Sequence, residues 1–193
     1  MDEKQTNIVE AAIRVISRYG VKRTTMQDIA DEAGIVRQTL YNTYRSKEDV
    51  LRATIEYFAE TALTAVRAAW ADTEDLGKKL DILFEHTIIQ HYKMAHASPE
   101  AEDIISGFND AAKDEIARAR DRFRELLEEA LKPHKAALTK VGLSITQYAD
   151  FVEQAGHGIK KSARDPAHLK ELLATLKTSV LALTGAPKAK RRA

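Results

Sequence analysis

The 193-residue sequence contains no cysteine. Disulfides, thiolate metal sites and cysteine nucleophiles are thereby excluded. Glycine and proline are scarce, at eight and four residues, and they stand at the boundaries of periodic stretches. No apolar run approaches the roughly 18 residues a membrane span requires. Excess charge of one sign is missing too: 30 Lys and Arg face 29 Asp and Glu. Total charge therefore carries no nucleic-acid signal, and any basic footprint has to be local. No serine-histidine-acid order and no glycine-rich phosphate loop stands out, so an enzyme is not expected, and neither is a cofactor. The opening Met1-Asp2-Glu3-Lys4 is charged and lacks the apolar segment of a signal peptide, which makes the cytoplasm the expected location.

What remains is helix. Alanine, leucine, glutamate, lysine and arginine dominate, and no alternating strand pattern interrupts them. Ile8, Ala11, Ala12, Val15 and Ile16 fall on one face of a helix expected over Asn7 to Arg18, closed by Tyr19-Gly20. Thr25 with Asp28 has the form of a capping box and opens a short helix to about Glu32. Gly34 makes a turn, and a second short helix spans about Val36 to Tyr44. Ser46 with Asp49 caps a long helix from Lys47 toward Trp70.

The remainder reads as a bundle. Asp72 is the expected cap of a helix reaching about Ala97, with Leu76, Leu80, Leu83, Thr87 and Ile88 inward. Ser98-Pro99 opens a short helix, Gly107 interrupts, and Asn109 caps a charged helix carrying Phe123, Leu126, Leu127 and Leu131. Pro133 kinks or ends that helix. Ser144 with Gln147 opens the next one. Asp165-Pro166 opens the last, where Leu169, Leu172, Leu173, Leu176 and Val180 form a stripe that Gly185 stops. The expected organisation is a head over 1–50, a body over 51–186 and a basic disordered tail over 187–193.

The pair of short helices around Gly34 has the form of a helix-turn-helix, whose second helix enters the DNA major groove. Ile29, Ala30, Ala33, Ile35 and Leu40 would pack the pair. The polar residues left on the second helix suit base edges and phosphates: arginine pairs with guanine, and glutamine or asparagine with adenine. The string from Thr24-Thr25-Met26-Gln27-Asp28-Ile29-Ala30 through Ala33-Gly34-Ile35, continued by Thr39-Leu40-Tyr41-Asn42-Thr43-Tyr44 and Lys47-Glu48-Asp49-Val50-Leu51, resembles the TetR/AcrR family of bacterial transcriptional regulators. The upstream Ile8, Ala11-Ala12 and Gly20 match as well, so the resemblance covers about the first quarter of the chain.

This resemblance implies an all-α homodimer with a three-helix DNA-binding head and a helical body that binds a ligand and dimerises. It implies a phosphate contact at Thr25 with Gln27 beside it, base or backbone contacts from Arg37, Gln38, Thr39, Asn42 and Thr43, and phosphate grips from Tyr41 and Lys47. It also implies operator DNA as partner and a repressor that a small molecule releases. The last two helices, near 147–160 and 167–183, are the expected dimer interface. Phe58, Trp70, Phe84, Ile88, Tyr92, Phe108, Phe123 and Phe151 are the candidate pocket residues, and their apolar character favours a lipophilic or aromatic effector. Two departures stand out. Val36 replaces the usual Ser or Thr before the recognition helix and lacks a capping oxygen, and Gln38 stands where a small residue or proline is common. His86, His91 and His96 tempt a metal reading. Their five-residue spacing separates them around a regular helix, so no metal is expected.

Overall fold

The computed structural model describes residues 1–96 and 112–186. Among the described residues every regular element is helical. The helices are α1 (Glu3–Arg23), α2 (Met26–Glu32), α3 (Arg37–Thr43), α4 (Lys47–Trp70), α5 (Leu76–Phe84), α6 (Gln90–Ala95), α7 (Lys113–Leu131), α8 (Lys135–Lys140), α9 (Ile145–Ser162) and α10 (Pro166–Thr184). A π turn over Glu85–Ile89 joins α5 to α6, and a 3₁₀ turn over Lys132–His134 joins α7 to α8. No helix among the described residues is long and apolar enough to cross a membrane.

The chain forms two compact units. The first holds Met1–Thr61 and the described part of 94–119, and the second holds Ala62–Lys93 and the described part of 120–193. Residue 50 lies inside α4, a helix of 24 residues, or about 36 Å at 1.5 Å per residue.

In the first unit, Ile8, Ala12, Ile16, Val21, Met26, Ile29, Ala30, Leu40, Val50 and Leu51 form the core. Helix α1 starts earlier than the apolar periodicity alone indicates. Asp2 accepts from the Gln5 backbone N–H at 2.7 Å and Gln5 returns the bond, a capping box that adds a turn ahead of Ile8. Gly20 does break the helix, at φ 78°, a conformation that strains any residue with a Cβ. One more turn then carries the chain to Arg23.

The second unit has its own core around Leu63, Val66, Trp70, Leu80, Leu126, Leu131, Leu138, Leu169 and Val180. Two expectations fail here. The cap of α5 is Asp75, whose carboxylate accepts from the Lys78 N–H at 2.8 Å, and not Asp72. The expected helix from Asp72 toward Ala97 is interrupted by the π turn, and Ala97 lies outside the described residues. The expectations at Ser98-Pro99, Gly107, Asn109 and the 187–193 tail lie outside them too. Elsewhere the punctuation reads as expected. Pro133 sits in the 3₁₀ turn that ends α7, Ser144 and Gln147 complete a capping box, Asp165 caps α10, and Gly185 ends it at φ 64°.

Candidate nucleic-acid interface

Helices α2 and α3 are held as a pair by local bonds that the sequence encodes. Thr25 caps α2: its hydroxyl accepts from the Asp28 N–H at 3.2 Å, while the Asp28 carboxylate accepts from the Thr25 N–H at 2.8 Å and hydroxyl at 2.7 Å. These bonds to Thr25 hold the Asp28 carboxyl below the usual range, the side-chain bond first. Gly34 takes φ 67° at the turn, and the Ile35 N–H returns to the Ala30 carbonyl at 3.0 Å. Leu40 is fully buried and locks α3 onto the head.

Three polar ties brace α1 against α2. Arg14 and Arg18 both bond Glu32, at 2.6 and 2.9 Å, and the Asn7 amide donates to the Ala33 carbonyl at 2.9 Å. The Arg14 bond, seconded by Arg18, holds the Glu32 carboxyl low. None of these three ties was anticipated from the sequence, because each joins residues 14 or more positions apart.

Helix α3, held through Leu40, leaves its outer face bare. Val36 is 70% exposed and makes no side-chain cap. Arg37, Gln38 and Asn42 are exposed, while Thr39, Tyr41 and Thr43 are half-buried. Arg37 lies over the Tyr41 ring, 5.3 Å from its centroid, and reaches the phenol oxygen at 3.3 Å. Gln38 donates to the Asn42 amide oxygen at 3.0 Å, and the Thr43 hydroxyl donates to the Thr39 carbonyl at 3.1 Å. The two amides therefore stand one turn apart as a linked pair, and the guanidinium is stacked on the ring beside it.

Thr25 and Gln27 are exposed on α2, where the Gln27 amide donates to Asp31 at 2.7 Å. Lys47 is already engaged: its ammonium donates to the Val21 and Thr24 carbonyls at 3.0 and 3.1 Å, closing the end of α1. An ammonium has three donors, so one is left for a phosphate.

Five of the eight candidate pocket residues share the second core. Trp70, Phe84, Ile88 and Tyr92 are buried in the second core, and Phe123 is half-buried against it. Phe58 is half-buried and belongs to the first unit, where its ring lies 6.4 Å from that of Tyr57. Phe151 is 59% exposed, stacked on Tyr148 at 6.1 Å, so it lines no enclosed site. On α9, position 151 falls outside the inward stripe of Tyr148, Ala149, Val152 and Gly156. Phe108 lies outside the described residues. An open hollow beside Lys135, Thr139, Gly142, Leu143, Ser144, Ile145 and Gln147 contains none of the eight.

Comparison with known proteins follows the same division. Residues 8–54 match the model of bacterial regulatory proteins of the tetR family. The HTH-type transcriptional regulator TtgR of Pseudomonas putida is 35% identical over 72 residues, 37% of this chain and 34% of that protein. The chain spans from about a quarter to under half the length of the first curated relatives it matches. Solved structures extend the likeness to the whole fold. A TetR transcription regulator from Haloarcula marismortui superimposes with a TM-score of 0.71 at 17% identity, covering 94% of this chain and 98% of that one. The Bacillus subtilis transcriptional regulator FadR, solved with stearoyl-CoA, has a TM-score of 0.62 at 17% identity, covering 93% and 96%. Residues 8–54 are thus similar to the DNA-binding region of the tetR family, and the fold is that of the solved TetR regulator.

Proposed function

We propose that this protein is a sequence-specific DNA-binding transcriptional regulator that works as a homodimer and represses until a small molecule releases it. The observation that carries the reading is the outer face of α3, where Arg37, Gln38 and Asn42 stand exposed on a helix fixed by the buried Leu40. Bidentate side chains on a rigid support are what base reading requires, since each good pair discriminates by about 1–3 kcal/mol. Thr39 and Thr43 offer methyl and hydroxyl contacts beside them. Tyr41, the third Lys47 donor, Gln27 and the α2 start at Thr25 serve phosphates. At Thr25 a phosphate has to draw the hydroxyl proton away from Asp28.

Two heads reading one duplex require a dimer. Helices α9 and α10 pack on one another and keep exposed surface that includes Phe151 and Leu183, which supports their use as the joint. A dimer of this kind reads a two-fold site whose spacing its own geometry sets. Release needs a ligand that binds better to a state with misplaced heads. The body's separate core and the ligand-bearing FadR of the same fold support an effector there. Selection from random duplexes at low salt tests the reading. The expected result is one enriched motif with two-fold symmetry, lost on Arg37→Ala. Recovery of no preferred sequence contradicts it.

A further inference from the structure

We propose that Lys160, with His91, His157 and Arg120 around it, forms an anion site in the second unit, suited to a singly charged organic anion with an apolar tail. The inference deepens the effector reading and rests on it only for the link to DNA.

The placement comes from helix packing. Glu153, His157 and Lys160 occupy one face of α9 at i, i+4 and i+7. Beside them Gly156 meets the π turn so closely that a Cβ there would stand 2.8 Å from Ile88 Cδ1. His91 lies two residues past that turn, and π turns in helices recur at functional sites. The third wall is α7, whose Arg120 forms a two-pronged pair with Glu153, both bonds 2.7 Å, and donates to Gln154 at 2.8 Å.

The charges do not cancel. Glu153 is the carboxylate facing the cluster, and Arg120 occupies both of its oxygens. Asp150 is exposed and lies 3.9 Å from Arg124. Lys160 makes no hydrogen bond or ion pair among the described residues, although it is half-buried. Burial, then the Arg120 charge, pulls its ammonium below the usual lysine range. Burial likewise lowers both histidines, and the Lys160 charge adds to it in each. The neutral imidazoles leave one uncompensated positive charge.

His91 supplies a second polar feature. Its Nδ1 lies 2.7 Å from the Thr87 carbonyl, which can only accept. The ring proton is therefore on Nδ1, and Nε2 carries the lone pair. A protonated acid group or an ordered water can donate to that nitrogen. Ile88, which packs against α9 at Gly156, one turn before Lys160, gives the tail an apolar contact. One excess charge against apolar walls selects a monoanion over a dianion and over a neutral molecule of the same length.

Thermal unfolding of the full chain at pH 7.5 with octanoate, octyl phosphate or octan-1-ol tests this. Octanoate is expected to raise Tm by several degrees, more than octyl phosphate does, with octan-1-ol weakest. Lys160→Met removes the unpaired charge, so its ligand-free Tm is expected to rise by roughly 2–4 °C, and its preference for octanoate over octan-1-ol should disappear. Lys160→Arg should keep that preference. Equal shifts from the acid and the alcohol, a preference for the dianion, no octanoate shift, or a preference surviving in Lys160→Met would each overturn the proposal. Duplex affinity measured in parallel separates the two readings. If octanoate acts through Lys160 yet leaves DNA binding unchanged, the anion site stands and effector release falls.

Discussion

The two units solve their polar problems differently. In the head nearly every polar side chain that shapes the fold has a partner: Thr25 with Asp28, Arg14 and Arg18 with Glu32, Asn7 with Ala33, Lys47 with Val21 and Thr24. Arg37, Gln38 and Asn42 stand exposed together on α3. In the body, Lys160 lies half-buried without a hydrogen-bond or ion-pair partner among the described residues, two histidines are desolvated, and a helix widens into a π turn. On the proposed function, a surface that meets the regular geometry of a duplex is served by a rigid, satisfied support, and a region that responds to a molecule retains groups whose energy a ligand can improve.

Breaking the head's support should have the largest effect. Leu40→Ala empties a fully buried position and is expected to cost about 3 kcal/mol, read by urea unfolding, with duplex binding lost alongside. Arg37→Ala should leave stability unchanged and weaken specific DNA binding about tenfold or more, within the 1–3 kcal/mol of a bidentate contact. The contrast between these two variants separates folding of α3 from its use.

The close approach in the body gives the next test. Gly156→Ala pushes a methyl against the end of the Ile88 side chain, which offsets the helix-propensity gain of about 1 kcal/mol, so Gly156→Ala with Ile88→Val is expected to be more stable than Gly156→Ala alone. No difference between the two would mean that α9 does not press on the π turn. Acid should also distinguish the units. A histidine with a lowered folded pKa protonates first in the unfolded chain, so His91 and His157 withdraw stability as pH falls below 6.5, levelling off below their folded values. Asp28 and Glu32 have lowered carboxyl pKa values. Their contribution is present above 3.8 and 4.5 and is lost only as pH falls through the folded values. Amide exchange or unfolding followed between pH 7.5 and 5.5 should therefore weaken the body before the head.

The smallest expected effect is at Val36. Serine there would supply the missing cap and stabilise α3 by about 0.5–1 kcal/mol. A larger gain would mean that Val36 strains the helix start, and no gain that another group already serves those N–H donors.

The same contrast governs what was legible in the sequence. The head could be read because its signals are local: Thr25 with Asp28, Gly34 at the turn, Val36 without a cap, and the α2–α3 string itself. Legibility declined wherever distant residues decide. Asp72 and Asp75 both precede Leu76 and both suit a cap, and it is Asp75 that bonds the Lys78 N–H. The π turn has no local mark, and it changes the angular step that the five-residue spacing of His86 and His91 assumed. Phe151 passed for a pocket residue because aromatic character does not reveal which side of α9 it occupies. The Lys160 cluster was missed although Glu153, His157 and Lys160 share a helical face, because only the α7 and α9 packing shows that Arg120 occupies Glu153.

Titration of the selected duplex with the wild-type chain and Arg37→Ala, across a series of salt concentrations, tests the central claim most directly. The account predicts that the wild type prefers that duplex over a scrambled one, that its affinity falls steeply with salt as phosphate counterions are released, and that Arg37→Ala loses the preference while keeping most of the salt dependence. Equal affinity for both duplexes, or an Arg37→Ala variant that discriminates as well as the wild type, would contradict it.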